Sequence, residues 1–194
     1  MFKKIIIIDN SNISYTGIDI DGSFLRGTET SLILLAEQFV KYGMEVDFCN
    51  NIIESQKVNG VNYFNKSYIK KDNIYDLAIA ISDANEFYRV NSIKRAVFSN
   101  SNQPIEKFIR KKQLLPFIKF KPKLITLCDY QFKKRSFFTS FYGKKTIPIT
   151  IDPKFLKINI DNTYLPPKRV VYNIRSNRNL DQLIKIWCEK IFPI

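Results

Sequence analysis

The feature that most constrains this chain is an unbroken run of four isoleucines, Ile5 to Ile8, that stops at Asp9. Four β-branched residues without polar alternation describe a strand covered on both faces, as in a parallel sheet. A glycine-containing loop comes next, with Gly17, Gly22 and Gly27. Thr28 is suited to cap a helix running to about Tyr42, in which Leu32, Leu35, Ala36, Phe39 and Val40 share one face. Gly43 ends that helix in the left-handed conformation, and Glu45 to Phe48 begins a second strand. The stretch is a βαβ unit. Its loop and helix start fall at the carboxyl end of the first strand, the edge where open α/β sheets bind ligands, and a helix N-terminus favours an anion there.

Strands and helices keep alternating. After a polar connection from Asn50 to Asn59, strands are expected at Gly60 to Phe64, Asp76 to Ile81, Lys94 to Ser99, Leu124 to Leu127 and Thr146 to Thr150. Asp83 caps a short helix with Phe87 and Tyr88; a second helix runs from Pro104 towards Gln113, and a third from Asp129 to Phe141, stopped by Gly143. Pro148 marks an edge or strand end. The expectation is an α/β, doubly wound, mostly parallel Rossmann-like sheet over residues 1–152, then a linker over 153–167. Residues 168–194 supply one extra βα unit, a strand from Lys168 to Asn173 and an amphipathic helix from Asn179 to Lys190. That unit reads as the start of a second, truncated domain.

The chain has 194 residues, 45% hydrophobic, enough for a sizeable core. It contains no histidine, which excludes Ser-His-Asp and Cys-His catalysis and histidine metal sites. Cys49, Cys128 and Cys188 have neither metal nor disulfide spacing and read as buried free thiols in a reducing compartment. The apolar run after Lys4 is shorter than the roughly 7–15 residues of a signal-peptide core, and no stretch approaches the roughly 20 apolar residues of a membrane span. A cytoplasmic protein is expected, with peripheral contact to the anionic membrane face left open. The net charge of +13 admits a polyanionic partner, but the lysines are spread along the chain and a solvated surface is the favoured account of them.

Four segments, in order, resemble a GT-B glycosyltransferase of family 4. RGTETSLILLAEQFVKYGMEVDF resembles the family's opening loop, helix and strand. The segment from Arg95 to Ser136, which opens RAVFSNSNQPIEKF, resembles the later acceptor-side domain. YGKKTIPITIDPKFL resembles the Ile-Pro-x-Gly-Val-Asp crossover, with Ile149-Thr150-Ile151-Asp152 in place of the glycine form. RVVYNIRSNRNLDQLIKIW resembles the opening of the nucleotide-sugar domain. The dinucleotide fingerprint G-x-G-x-x-G is absent. The resemblance implies a sugar transfer from a nucleotide-diphosphate sugar to a glycan or lipid-linked acceptor, with retention and without metal or other cofactor. Arg178, assisted by Arg175, matches the cation that faces the donor diphosphate, where charge builds as the glycosidic bond breaks. Gly22, Gly27 and Thr28 match the cleft loop; Asn100, Asp129 and Ser136 fall on the acceptor side. Asn100 stands where relatives carry histidine and cannot transfer a proton. The paired glutamates that hold the donor sugar have no counterpart, so the resemblance implies a truncated gene product, a split subunit with a donor-domain partner chain, or an excised domain, and no catalytic residue is assigned. The alternative is a non-catalytic basic module for nucleic acid or an anionic membrane surface. In it the aromatics of Phe117 to Lys123 and Phe132 to Tyr142 serve as stacking platforms; helical spacing favours a core role for them instead, and nucleic acid is the less expected partner.

Overall fold

In a computed structural model of the chain, residues 2–21, 25–100, 105–133, 137–148 and 180–191 are described. The chain divides into two units, Met1–Leu156 and Lys157–Ile194. Among its described residues the first has eight strands: β1 Lys4–Ile8, β2 Glu45–Asn50, β3 Gln56–Val58, β4 Val61–Asn65, β5 Ile74–Ile81, β6 Asn91–Ser99, β7 Lys123–Thr126 and β8 Lys144–Thr146. They form one sheet in the order β3-β4-β2-β1-β5-β6-β7-β8. Every neighbouring pair is parallel except β3 with β4. The expected α/β class with a mostly parallel sheet is therefore observed.

The isoleucine run does what its composition requires. Successive side chains of a strand point to opposite faces, and both faces of β1 are covered. Ile5 and Ile7 enter a core with Val46, Phe48, Ile79, Leu32 and Ala36. Ile6 and Ile8 enter another with Cys49, Ala78, Val97, Phe108 and Phe117. Helix α1, Gly27–Lys41, places Leu32, Ile33 and Ala36 in the first core. Helices α2, Ile105–Arg110, and α3, Leu114–Phe120, contribute Phe108 and Phe117 to the second. Phe117 is fully buried, a core residue and not a stacking platform.

Several local expectations need correction. Helix α1 begins one residue before Thr28: its cap is Arg26, without a side-chain bond, and Thr28 sits inside the first turn. The connection after β2 contains a strand, β3, joined to β4 by Asn59-Gly60 with φ of 48° and 83°. That dipeptide is the favoured two-residue hairpin turn. Of the helix expected from Pro104 towards Gln113, the described part is α2, which ends at Arg110; Lys112 then turns left-handed with φ 52°, and the chain becomes helical again as α3. The stretch from Asp129 is a short helix, α4 Asp129–Lys133, followed by a 3-10 turn at Phe137–Ser140. Strand β8 starts earlier than expected and is an edge strand. Cys49 is buried, but Cys128 is exposed and Cys188 half-buried. Gly43 is left-handed as expected, φ 79°, and its N–H donates to Val40 O at 2.9 Å.

Of the second unit, the helix α5, Leu180–Ile186, and a π-helical turn at Trp187–Ile191 are described. The linker and the strand expected at Lys168 to Asn173 lie outside the described residues.

Gly60 gives a direct test of the hairpin. Its φ is positive, and a Cβ there would stand 2.6 Å from Val40 Cγ1 on α1. Gly60→Ala is expected to cost about 2–3 kcal/mol, read as a lower urea midpoint with an unchanged slope. A neutral result would show that this turn does not press on α1.

Candidate functional site

The site begins where the isoleucine run ends. Asp9 is 4% exposed and its carboxylate accepts three hydrogen bonds: from the Ser11 backbone N–H at 3.1 Å, the Ser11 hydroxyl at 2.7 Å and the Tyr15 hydroxyl at 2.7 Å. Burial, and next the neighbouring Asp9 carboxylate, push the Tyr15 hydroxyl far above the usual tyrosine range. Tyr15 therefore stays a neutral donor. Its ring packs edge-on against Phe48 at 5.7 Å between centroids. Fully buried Asn50, at the end of β2, donates to Tyr15 O at 2.7 Å, and Asn51 donates to Ser11 O at 3.0 Å. The loop after β1 is thus clamped to β2 from both sides.

Next to it stands the start of α1. Glu29, the third residue of the helix, is 1% exposed and forms an ion pair with Arg26. Its second oxygen, Oε2, is buried and has no hydrogen-bond partner among the described residues. The end of β6 closes the other side: Asn100 Nδ2 donates to Thr28 Oγ1 at 3.4 Å. The end of β5 completes the wall with Ser82, held left-handed at φ 57°. Ser82 N–H donates to Phe98 O at 2.9 Å, and Ser82 O accepts from buried Gln113 at 3.1 Å. Asp83 accepts from the Asn85 N–H at 2.9 Å and so starts the 3-10 turn Ala84–Tyr88. A non-glycine residue in the conformation of Ser82 is costly, and such residues concentrate at functional sites.

Asp9, Ser11, Thr28, Glu29, Ser82, Asp83 and Asn100 line a pocket of about 290 Å³ that also touches Arg26 and Lys111, with Tyr15 and Asn50 supporting it from behind. Chain progression moves from β1 outwards to β2 and β4 on one side, then returns to β5 on the other. The pocket therefore opens at the carboxyl ends of β1 and β5, the switch point of the sheet, where such folds bind ligands. Its charge is not that of a phosphate cradle. Asp9, Glu29 and Asp83 are its carboxylates, and Glu29 itself supplies the anion that a helix N-terminus favours. The expectation of an external anion at this terminus is weakened by that arrangement. Carboxylates, an amide and a hydroxyl suit a ligand rich in hydroxyl donors.

Of the residues expected to form a site, Thr28 and Asn100 are brought into contact here. Gly27 is the first residue of α1, and among the described residues a Cβ on it would meet no atom outside its own turn within 4 Å, so their packing does not require glycine there. Asp129 does not line the pocket; it begins α4 beyond β7, where Thr146 donates to it at 3.4 Å. Gly22, Ser136, Arg175 and Arg178 lie outside the described residues. Sequence reasoning missed Glu29, Ser11, Tyr15 and Ser82. The one signal for Glu29 was its place two residues after Gly27 at the start of a helix.

Among the described residues no group of three His, Cys, Asp or Glu stands together as metal ligands, and no helix is long and apolar enough to cross a membrane. No family model matches the chain, and neither the curated proteins nor the solved structures provide a match.

Tyr15→Phe removes one donor from a buried carboxylate and leaves the ring packing intact. A loss of about 2 kcal/mol in urea unfolding is expected, the range for a hydrogen bond to a charged group. A loss below a few tenths would mean that Ser11 alone holds Asp9.

Proposed function

We propose that this chain is the acceptor-side, doubly wound domain of a GT-B, family-4-like glycosyltransferase, joined to the first unit of a donor domain. In this reading the complete enzyme moves a sugar from a nucleotide-diphosphate sugar to a glycan or lipid-linked acceptor. The observation that carries it is the switch-point pocket, with Thr28 against Asn100 and the open oxygen of buried Glu29. A buried oxygen without a partner costs free energy until a donor reaches it, and sugar hydroxyls are such donors. The four sequence segments in family order add support. Arg178 and Arg175 would stabilise the leaving diphosphate.

Asn100 has no titratable proton at neutral pH and Glu29 is engaged with Arg26, so neither is assigned proton transfer. Their role is to bind and orient: Asn100 donates and accepts, while Glu29 Oε2 accepts. Holding the attacking hydroxyl in one orientation lowers the entropic part of the barrier.

The test is calorimetric, on the full chain, with a panel of saccharides and of nucleoside diphosphates. Saccharide binding is expected to weaken about tenfold in Glu29→Gln and in Asn100→Ala, one hydrogen bond's worth of affinity. Nucleoside-diphosphate binding is expected to weaken selectively in Arg178→Ala. If no saccharide binds, or if Glu29→Gln leaves saccharide binding unchanged, the pocket is not an acceptor site.

A further inference from the structure

The switch-point pocket is lined by three carboxylates, Asp9, Glu29 and Asp83, against two cations, Arg26 and Lys111. The imbalance is sharpest where the burial is deepest. Asp9 and Glu29 are both buried, and the part-exposed Arg26 is the cation they share. Glu29 pairs with it. Asp9 receives only neutral donors, the Ser11 backbone N–H and the Ser11 and Tyr15 hydroxyls, and makes no ion pair among the described residues. The hydrogen bond from Arg26 to Glu29, followed by the charges of Glu29 and of Asp9, holds the Arg26 guanidinium above its ordinary range against the opposing effect of burial. Two lysines stand nearby without settling the difference. Lys111, on the turn between α2 and α3, forms no ion pair with a described carboxylate, and Lys66 donates to the neutral Asn10 side chain at 2.6 Å. Two buried carboxylates around one guanidinium leave a net negative charge in a place where unpaired charge is costly. Glu29 Oε2, buried without a donor among the described residues, is the point at which a positive group could land.

We infer that the ligand supplies the missing charge: the pocket takes an amino sugar, whose free ammonium group donates to Glu29 Oε2 while its hydroxyls meet Thr28 and Asn100. A hydroxyl alone would satisfy the oxygen and leave the charge unbalanced, whereas an ammonium does both and brings three donors to a corner with two carboxylates. A phosphorylated or acidic sugar is the poorer fit, because its anion would add to the excess. A bare metal ion is also the poorer fit, since among the described residues no three His, Cys, Asp or Glu side chains stand together as its ligands. The inference rests on the acceptor-site reading of the pocket and narrows it to one chemical class.

The experiment is calorimetric titration of the full chain with glucosamine and galactosamine, with glucose and galactose, and with the two N-acetylated amines, at a pH where the free amines are protonated. Hydrogen bonds between two ionised partners are roughly twice as strong as neutral ones. The free amines are therefore expected to bind about tenfold more tightly than the parent sugars, and the N-acetylated forms no more tightly than the parents. In Glu29→Gln, which keeps an acceptor towards Arg26 and leaves Asp9 and Arg26 balanced, the preference for the amine is expected to fall to about onefold, beyond the general loss of affinity. Lys111→Gln, at an exposed position, removes a like charge from the wall and is expected to raise the preference about two- to threefold. Thermal melting of each variant checks that the fold is kept, and Lys111→Gln carries the test if Glu29→Gln does not fold. Equal binding of amines and parent sugars overturns the inference and leaves the acceptor site standing. So does a preference that survives Glu29→Gln or falls in Lys111→Gln. Ethanolamine binding as tightly as glucosamine also overturns it, because the site would then recognise an ammonium group and not a sugar. Binding of no saccharide at all removes the acceptor site and the inference together.

Discussion

Four consecutive side chains, Ile5 to Ile8, have no solvent exposure at all, and the rest of the first unit is arranged so that this holds. A strand whose neighbouring side chains must all be buried needs a hydrophobic layer on each face and a parallel neighbour on each edge. β2 and β5 provide the edges; α1 with Tyr15 covers one face, and Phe87, Phe108 and Phe117 cover the other. Each isoleucine contributes about 1.5–3 kcal/mol of transfer free energy. No polar residue is tolerated inside the run, so the first polar group comes at its end, at Asp9. The site grows from that point because the strand has nowhere else to put chemistry.

Asp9 then sets the problem that its surroundings solve. A buried carboxylate is costly unless hydrogen-bonded, and three donors within the next six residues meet that need. Glu29 is handled differently. Arg26 and the start of α1 compensate its charge, but one oxygen stays without a donor. The contrast separates a carboxylate whose bonds are met from within its own loop from one with an oxygen to spare.

The pocket uses the carboxyl ends of β1, β5 and β6. Helix N-termini and loop turns crowd the carboxyl ends, where small polar groups converge. The amino ends of β6, β7 and β8 carry lysines, which suits an edge strand as well: charge there discourages pairing with another chain.

Periodicity and composition alone determined the βαβ opening, the α/β class and the parallel sheet, because a run such as Ile5–Ile8 satisfies its burial in few other ways. They also marked Gly43 and the turn after Asp83, where local backbone chemistry decides. They did not reveal the β3–β4 hairpin, though Asn59-Gly60 carried its signal, because short polar edge strands have little hydrophobic pattern. Tertiary structure decided the rest. Glu29 looks like an ordinary charge at a helix start until packing buries it, and Asn100 meets Thr28 only because β6 ends beside the start of α1. The lysines at 94, 121, 123 and 145 are scattered along the chain, and only the parallel register of three strands turns them into a single charged rim. Long-range pairing is set by which faces must be buried together, and a linear sequence does not show that for individual polar side chains.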